Sequence, residues 1–353
     1  MSVKTLKAID ALEQAQRIAF APFVFQTTVS LRKLGVLNLI FDTRHQGGIT
    51  IEELSKQLNV STYGLGVLLE IAESSDIVEK NNKRQYELTK TGYFLTYHET
   101  VNVNLNFTND VCYKGLYHLN DAIKNKKPEG LKELGEWSTI YEGLSELDPE
   151  AKKSWFEFDH HYSDEVFETA LETVFRKNPK TIFDIGGNTG KFAIAACKYS
   201  EEVAVTIVDL PGQLNKALEN VKAYDFKERV TGHYIDWLSE NPQIPKGADT
   251  YWMSQFLDCF SEDEIVKILS VCVDSMGEDA ELLIMETFTD RQKFDNARFI
   301  LEATSLYFTT MANGNSKMYS SEVFRKLIDK VGLVIKEDIA VGEYHTILVC
   351  GKK

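Results

Sequence analysis

No apolar run in this sequence approaches the ~20 residues needed to cross a bilayer, so no membrane span is expected. The start, Met1 to Asp10, carries lysines but no apolar core followed by a small-residue cleavage site, so no secretory signal is expected either. Cysteine is sparse and scattered: Cys112, Cys197, Cys259, Cys272 and Cys350, none of them in a C-x-x-C pair. That spacing spells out neither a zinc cluster nor a thioredoxin-like motif, and an odd number of lone thiols fits a reducing cytoplasm. Basic residues are in the minority, 39 Lys and Arg against 53 Asp and Glu, for a net charge of −14. Broad contact with a phosphate backbone needs clustered Lys and Arg, so nucleic acid is not an expected partner. What is present is a 353-residue chain, 43% apolar, enough for real cores and about two domains.

The chain reads as two styles joined near residue 175. The first half is mostly helical in pattern. From Lys180 onward, short apolar runs alternate with amphipathic ones, the signature of an α/β fold with a doubly wound parallel sheet. The boundary is the polar stretch Arg176-Lys177-Asn178-Pro179-Lys180, whose proline stops a helix. Domains of 1–175 and 176–353 are therefore expected.

Within the first half, Thr50 caps a short helix over Ile51 to Leu58, with Glu53 at the capping-box position. After the turn Asn59-Val60-Ser61, a second helix over Thr62 to Ser74 carries Leu65, Leu68, Leu69 and Ala72 on one face. Ile77-Val78 and Tyr86-Glu87-Leu88 flank a polar turn, and the whole reads as a winged helix-turn-helix. The candidate recognition helix has no Lys or Arg and carries Glu70 and Glu73, so electrostatics oppose DNA there, although Lys80, Lys83 and Arg84 lie in the wing. The preceding segment is densely apolar, from Phe20, Phe23 and Phe25 to Ile40 and Phe41. A partner chain burying the excess, in a homodimer, is the expected role.

The strongest local signal is Thr181 to Phe192, an apolar strand, a glycine-rich turn and a helix start. Gly186, Gly187 and Gly190 permit tight turns and close approach of a ligand to the backbone. A Walker loop fails, because Ile185 stands at its first glycine and Phe192 replaces the hydroxyl. The G-x-G-x-x-G spacing of nicotinamide dehydrogenases fails as well. Asp184-x-Gly186-x-x-x-Gly190 fits the loop that holds the methionine part of S-adenosylmethionine. Asp209, at the end of the next strand, is placed to accept from ribose hydroxyls, and Leu210-Pro211 opens the following helix. Asp236-Trp237 ends the third strand, where a carboxylate suits an adenine amino group and an indole suits a purine face.

Together these residues resemble the two-domain S-adenosylmethionine-dependent O-methyltransferases of the plant caffeate and bacterial polyketide or hydroxyindole type. The resemblance runs through Val208-Asp209-Leu210-Pro211, the block Asp249 to Ser270, Leu282 to Glu286 and Gly332-Leu333. It implies a Rossmann-like class I methyltransferase domain and a helical N-terminal dimerisation domain. It also implies Gly186 and Asp209 as cofactor contacts, Asp236 with Trp237 as the adenine site, and Ser254 where some members place a cofactor-side lysine.

The pattern departs from the family at the catalytic block. Members that methylate phenols carry a histidine base in Leu-His-Asp-Trp-Ser, and here Asp258 stands in that slot, within Phe256-Leu257-Asp258-Cys259-Phe260-Ser261. Glu286 matches one of the family's flanking glutamates, and Met318 falls where the other is expected. An ordinary aspartate, pKa ~3.9, is a weak base for a phenol unless burial or a neighbouring acid raises it. Three roles stay open: Asp258 as base for a hydroxyl, Asp258 orienting a nitrogen or activated carbon acceptor, or a chain that binds the cofactor without methylating, such as a ligand-sensing regulator. The acceptor is expected to be small and aromatic or heterocyclic. Phe158, His161, Trp252, Gln255 and Arg298 are the candidate acceptor contacts, and no metal is expected because His160 and His161 are merely adjacent.

Overall fold

A computed structural model describes residues 6–163 and 166–353; residues 1–5, part of the start read above for a targeting signal, lie outside them. The chain divides into two compact units, Met1–Asn109 and Asp110–Lys353. This division falls earlier than the change of style near residue 175. The helical stretch before the sheet belongs to the second unit, where Ala170, Leu171 and Val174 share a core with Ile182 and Trp252.

In the first unit, helices Ala8–Ala19, Ala21–Lys33 and Val36–Asp42 precede the capped pair Ile51–Leu58 and Thr62–Ser74. Thr50 and Glu53 form the reciprocal capping box, Glu53 Oε2 accepting from the Thr50 N–H at 2.8 Å. Ser61 caps the second helix, its Oγ accepting from the Gly64 N–H at 3.1 Å. Strands β1 (Val78–Lys80) and β2 (Tyr86–Leu88) pair antiparallel. Leu31, Val36, Leu37, Ile40, Leu65 and Leu69 make the core. Ile9, Leu12, Ile18, Phe20 and Phe23 stay exposed, and helix Ala8–Ala19 buries no residue.

The second unit is built on a seven-stranded sheet of β3 (Thr181–Ile185), β4 (Ala204–Asp209), β5 (Val230–Tyr234), β6 (Thr250–Ser254), β7 (Glu281–Glu286), β8 (Leu333–Val341) and β9 (His345–Lys352). The spatial order is β5-β4-β3-β6-β7-β9-β8. The strands β3 to β7 run parallel, and β9 is antiparallel to both neighbours. Side-chain alternation sends Phe183, Tyr251 and Leu282 into one core layer, and Ile182, Trp252 and Leu283 into the other. Strand order reverses between β3 and β6, which is where ligands bind in open α/β sheets. No helix of the described residues is long and apolar enough to cross a membrane.

Candidate functional site

At the end of β3 the chain must turn sharply back over the sheet. Gly186 does so at φ 72° and Gly190 at φ 79°, with Asn188 also left-handed at φ 48°. Gly186 permits more than a turn: a Cβ there meets the Phe256 ring at 2.3 Å. At Gly187 a Cβ falls 2.7 Å from Asp184 Oδ2 and 2.8 Å from Ile207 Cγ2. The backbone therefore runs against a carboxylate with no room for a side chain.

The loop is tied to the next strand through Asp209. Asp209 Oδ2 accepts from the Asn188 N–H at 2.8 Å, and Oδ1 from the Leu210 N–H at 2.7 Å. Pro211 then occupies the first turn of helix Pro211–Val221, where its missing N–H costs nothing. Burial pushes Asp209 up to about 6, while the two backbone N–H bonds pull the other way. Asp184 is pushed further, to about 8, by burial first and then by the Asp209 charge.

A crevice opens beside this loop. Its walls include Asp184, Gly186, Gly187, Asn188, Lys191, Phe192, Trp252, Ser254 and Gln255, with Asp159 and His160 from helix Pro149–Ser163. Asn188 Nδ2 donates to Asp159 Oδ2 at 3.0 Å, linking loop and helix. Four wall residues carry buried polar atoms without a hydrogen-bond partner: Asp184 Oδ2, Trp252 Nε1, Ser254 Oγ and Gln255 Nε2. Buried polar groups in native proteins are normally paired, so four orphans on one crevice mark a place for a polar ligand.

Asp184, Gly186, Gly187, Ser254, Trp252 and Gln255 thus meet on one crevice, and Asp209 joins them through Asn188. Other expected contacts lie elsewhere. Trp237 is 4% exposed, inside the core layer of Phe183 and Tyr251, so its ring offers no open face for a purine. Phe256 lies between it and the loop, 6.1 Å from Trp237 and against Gly186. Asp236 is exposed, and its Oδ1 accepts from the Leu238 N–H at 2.9 Å. Arg298 is spent on Glu302 on an exposed helix face, at 2.7 Å. Phe158 and His161 pack edge-on against Tyr162 and are not among the crevice walls. Trp252, expected at the acceptor, does line the crevice but is fully buried and stacked on Phe192 at 4.6 Å. Asn188 and Asp159 escaped the sequence reading, although an Asn in a glycine turn is itself a signal for left-handed backbone.

Three residues beyond the crevice wall sits Asp258, 6% exposed, in the turn Leu257–Cys259. Burial pushes its carboxyl up to about 7, the Cys259 thiol 3.5 Å from Oδ1 counteracts, and Asp159 raises it further. Glu286, at the end of β7, is 2% exposed and raised by burial and then by Asp258. Its Oε1 accepts from the N–H groups of Phe256 and Leu257 at 3.2 and 3.0 Å. The glutamate therefore fixes the turn that carries Asp258. The Asp258 charge raises Glu286 further, so the two acids disfavour simultaneous ionisation.

A family profile described as a Dimerisation2-like domain matches residues 13–85, and one described as an O-methyltransferase domain matches residues 116–333, more than half of the chain. O-methyltransferase SfmM3 of Streptomyces lavendulae is 27% identical over 139 residues, 38% of this chain and 40% of that protein, so this match spans under half of the relative's length. O-methyltransferase 7 of Dictyostelium discoideum is 20% identical over 293 residues, 83% of this chain and 82% of that protein. Among solved structures, the mitomycin 7-O-methyltransferase MmcR shares the fold with a TM-score of 0.73 at 18% identity, over 98% of each chain. The chain belongs to the O-methyltransferase domain family.

Proposed function

We propose that the crevice at the β3–β6 switch point binds S-adenosylmethionine and that the protein transfers its methyl group to the hydroxyl of a small aromatic acceptor. The observation that carries this reading is the Asp209–Asn188 bond, which sets a carboxylate against the glycine loop. The orphaned atoms of Asp184, Ser254 and Gln255 fit the polar methionine end of that cofactor, and Gly186 and Gly187 let the loop pack tightly against Phe256 and Asp184 beside it. Asp209 and Leu210 are assigned to the ribose, with Gly190 completing the loop. Asp236, two residues after β5, is assigned to the adenine, and Phe256 replaces Trp237 as the aromatic surface nearest the loop. When bound, the cofactor supplies an electrophilic methyl on a sulfonium.

The chain's own work is alignment and proton transfer. Asp258 takes the acceptor's hydroxyl proton, and a carboxyl raised to about 7 is matched to that task near neutral pH. Glu286 positions Asp258 through the Phe256–Leu257 turn. An acceptor nitrogen is a second reading: an amine already has a free lone pair for the methyl group, so Asp258 accepts from its N–H and orients it, taking the proton only after transfer. The first unit reads as a winged-helix dimerisation module in a cytoplasmic homodimer. The matched Dimerisation2-like profile and the exposed Ile9, Leu12, Phe20 and Phe23 support the dimer, and the scattered unpaired cysteines support the cytoplasmic reading. Lys80 of the wing is paired to Glu73 at 2.8 Å, and the adjoining helix Thr62–Ser74 has no Lys or Arg to offer DNA. A screen of phenolic and heterocyclic amine acceptors, scored by release of S-adenosylhomocysteine, tests the assignment. Turnover of phenols supports it, turnover of amines alone favours the second reading, and no turnover by a protein that binds the cofactor removes the catalytic part.

A further inference from the structure

Trp252 and Asp184 are directly opposed across the β3–β6 pair. Parallel pairing puts their side chains on one face of the sheet, and both line the crevice. Trp252 is fully buried and Asp184 is 2% exposed. The indole Nε1–H has no acceptor and Asp184 Oδ2 has no donor, yet the two do not bond to each other. The indole ring is locked by its stack on Phe192, at 4.6 Å and 16° between planes, so the N–H direction is fixed. A buried donor and a buried acceptor, adjacent and both unmet, call for a ligand with the opposite pair. An α-amino acid supplies it: an ammonium with donors only and a carboxylate with acceptors only.

Resting on the cofactor reading above, we propose that Trp252 is a specificity-determining residue for the α-amino-acid head of an adenosyl ligand. Its Nε1–H donates to the α-carboxylate, while Asp184 Oδ2 accepts from the α-ammonium. The indole thereby distinguishes the intact amino-acid-bearing cofactor and its product from nucleosides that have lost the head. Trp252 moves, on this inference, from the acceptor side of the site to the cofactor side.

Calorimetric titration with S-adenosylhomocysteine and with 5′-methylthioadenosine, which lacks the amino-acid head, tests the inference on the wild-type chain and on Trp252→Phe. The phenyl ring keeps the stack on Phe192 and removes only the N–H and some area. S-adenosylhomocysteine affinity is expected to fall roughly tenfold, the scale of one charge-assisted hydrogen bond. Affinity for 5′-methylthioadenosine is expected to stay within about twofold, because it has no group to lose. Equal losses for both ligands, or no loss for either, overturn the proposal. Binding of neither ligand by the wild-type chain overturns the cofactor reading itself, and is recognisable as such before any variant is made. Should Trp252→Phe fail to fold, the assigned Trp252 indole N–H resonance of the 15N-labelled wild type gives the same answer. It is expected to move downfield with S-adenosylhomocysteine and not with 5′-methylthioadenosine, and an unmoved resonance overturns the proposal.

Discussion

Glu286 Oε1 accepts from the Leu257 N–H at 3.0 Å, one residue before the buried carboxyl of Asp258. An acid from a strand end and an acid from a turn are thereby held side by side, and the position of one depends on the other. Replacing Glu286 by Ala strands the Phe256 and Leu257 N–H groups in the interior. A loss of about 1–3 kcal/mol is expected from chemical denaturation. Glu286→Gln keeps a carbonyl oxygen and is expected to recover most of that loss; equal stability of Glu286→Ala and wild type speaks against the positioning role.

Asp258 acts as a base only when ionised, and its carboxyl is raised to about 7 by burial. The rate constant kcat is therefore expected to rise as pH climbs through about 7 and to level off above. Asp258→Asn is expected to lower kcat by about 10²-fold or more and to abolish that limb, with S-adenosylhomocysteine affinity nearly unchanged. A pH–rate profile on both forms decides it, and an Asp258→Asn enzyme with full activity removes the base.

The glycine loop has no space to spare at Gly187. Its Ala variant sets a methyl 2.7 Å from Asp184 Oδ2 and 2.8 Å from Ile207 Cγ2. A stability loss of about 1–3 kcal/mol and a loss of cofactor binding are expected, read by thermal melts with and without S-adenosylhomocysteine. A variant that keeps the wild-type ligand-induced shift contradicts the tight cradle.

Stability should also fall with pH in the ligand-free protein. Asp184 and Asp258 are raised to about 8 and about 7 from 3.8, so the folded state holds protons that the unfolded chain releases. Their contribution is present at low pH and is lost as pH rises through those values. His345, lowered from 6.5 to about 4 by burial, acts in the opposite sense, but only below 6.5. The clean window is therefore pH 6.5 to 8.5, where Tm is expected to drop, and Asp184→Asn is expected to flatten the drop. A rising Tm across that window is the contrary result.

Much of this was legible where the cause is local. The Thr50–Glu53 capping box, Pro211 at a helix start and the turn at Gly186 to Gly190 depend on residues within one turn of each other. Asp184 and Asp209 were placed because a carboxylate at a strand end is a sequence-local fact. What remained hidden is non-local. Nothing in Asp236-Trp237 says that the indole turns into the core while the carboxylate stays out. Arg298 has a glutamate at i+4, but helical phase alone does not tell which face is exposed. The carboxyl of Asp258 is raised first by burial and then further by Asp159, which comes from a distant helix. The division at Asn109 likewise follows contacts between segments far apart in sequence.

The most direct measurement is a calorimetric titration of the full chain with S-adenosylhomocysteine, alongside Asp209→Ala. Removing the carboxylate frees the Asn188 and Leu210 N–H groups that it now holds, as well as the ribose contact assigned to it. The wild type is expected to bind one ligand per chain, and Asp209→Ala to bind at least about tenfold more weakly, a change of about 1.4 kcal/mol. No heat and no thermal shift with the wild type at millimolar ligand, or identical affinity in the variant, contradicts the reading of this crevice.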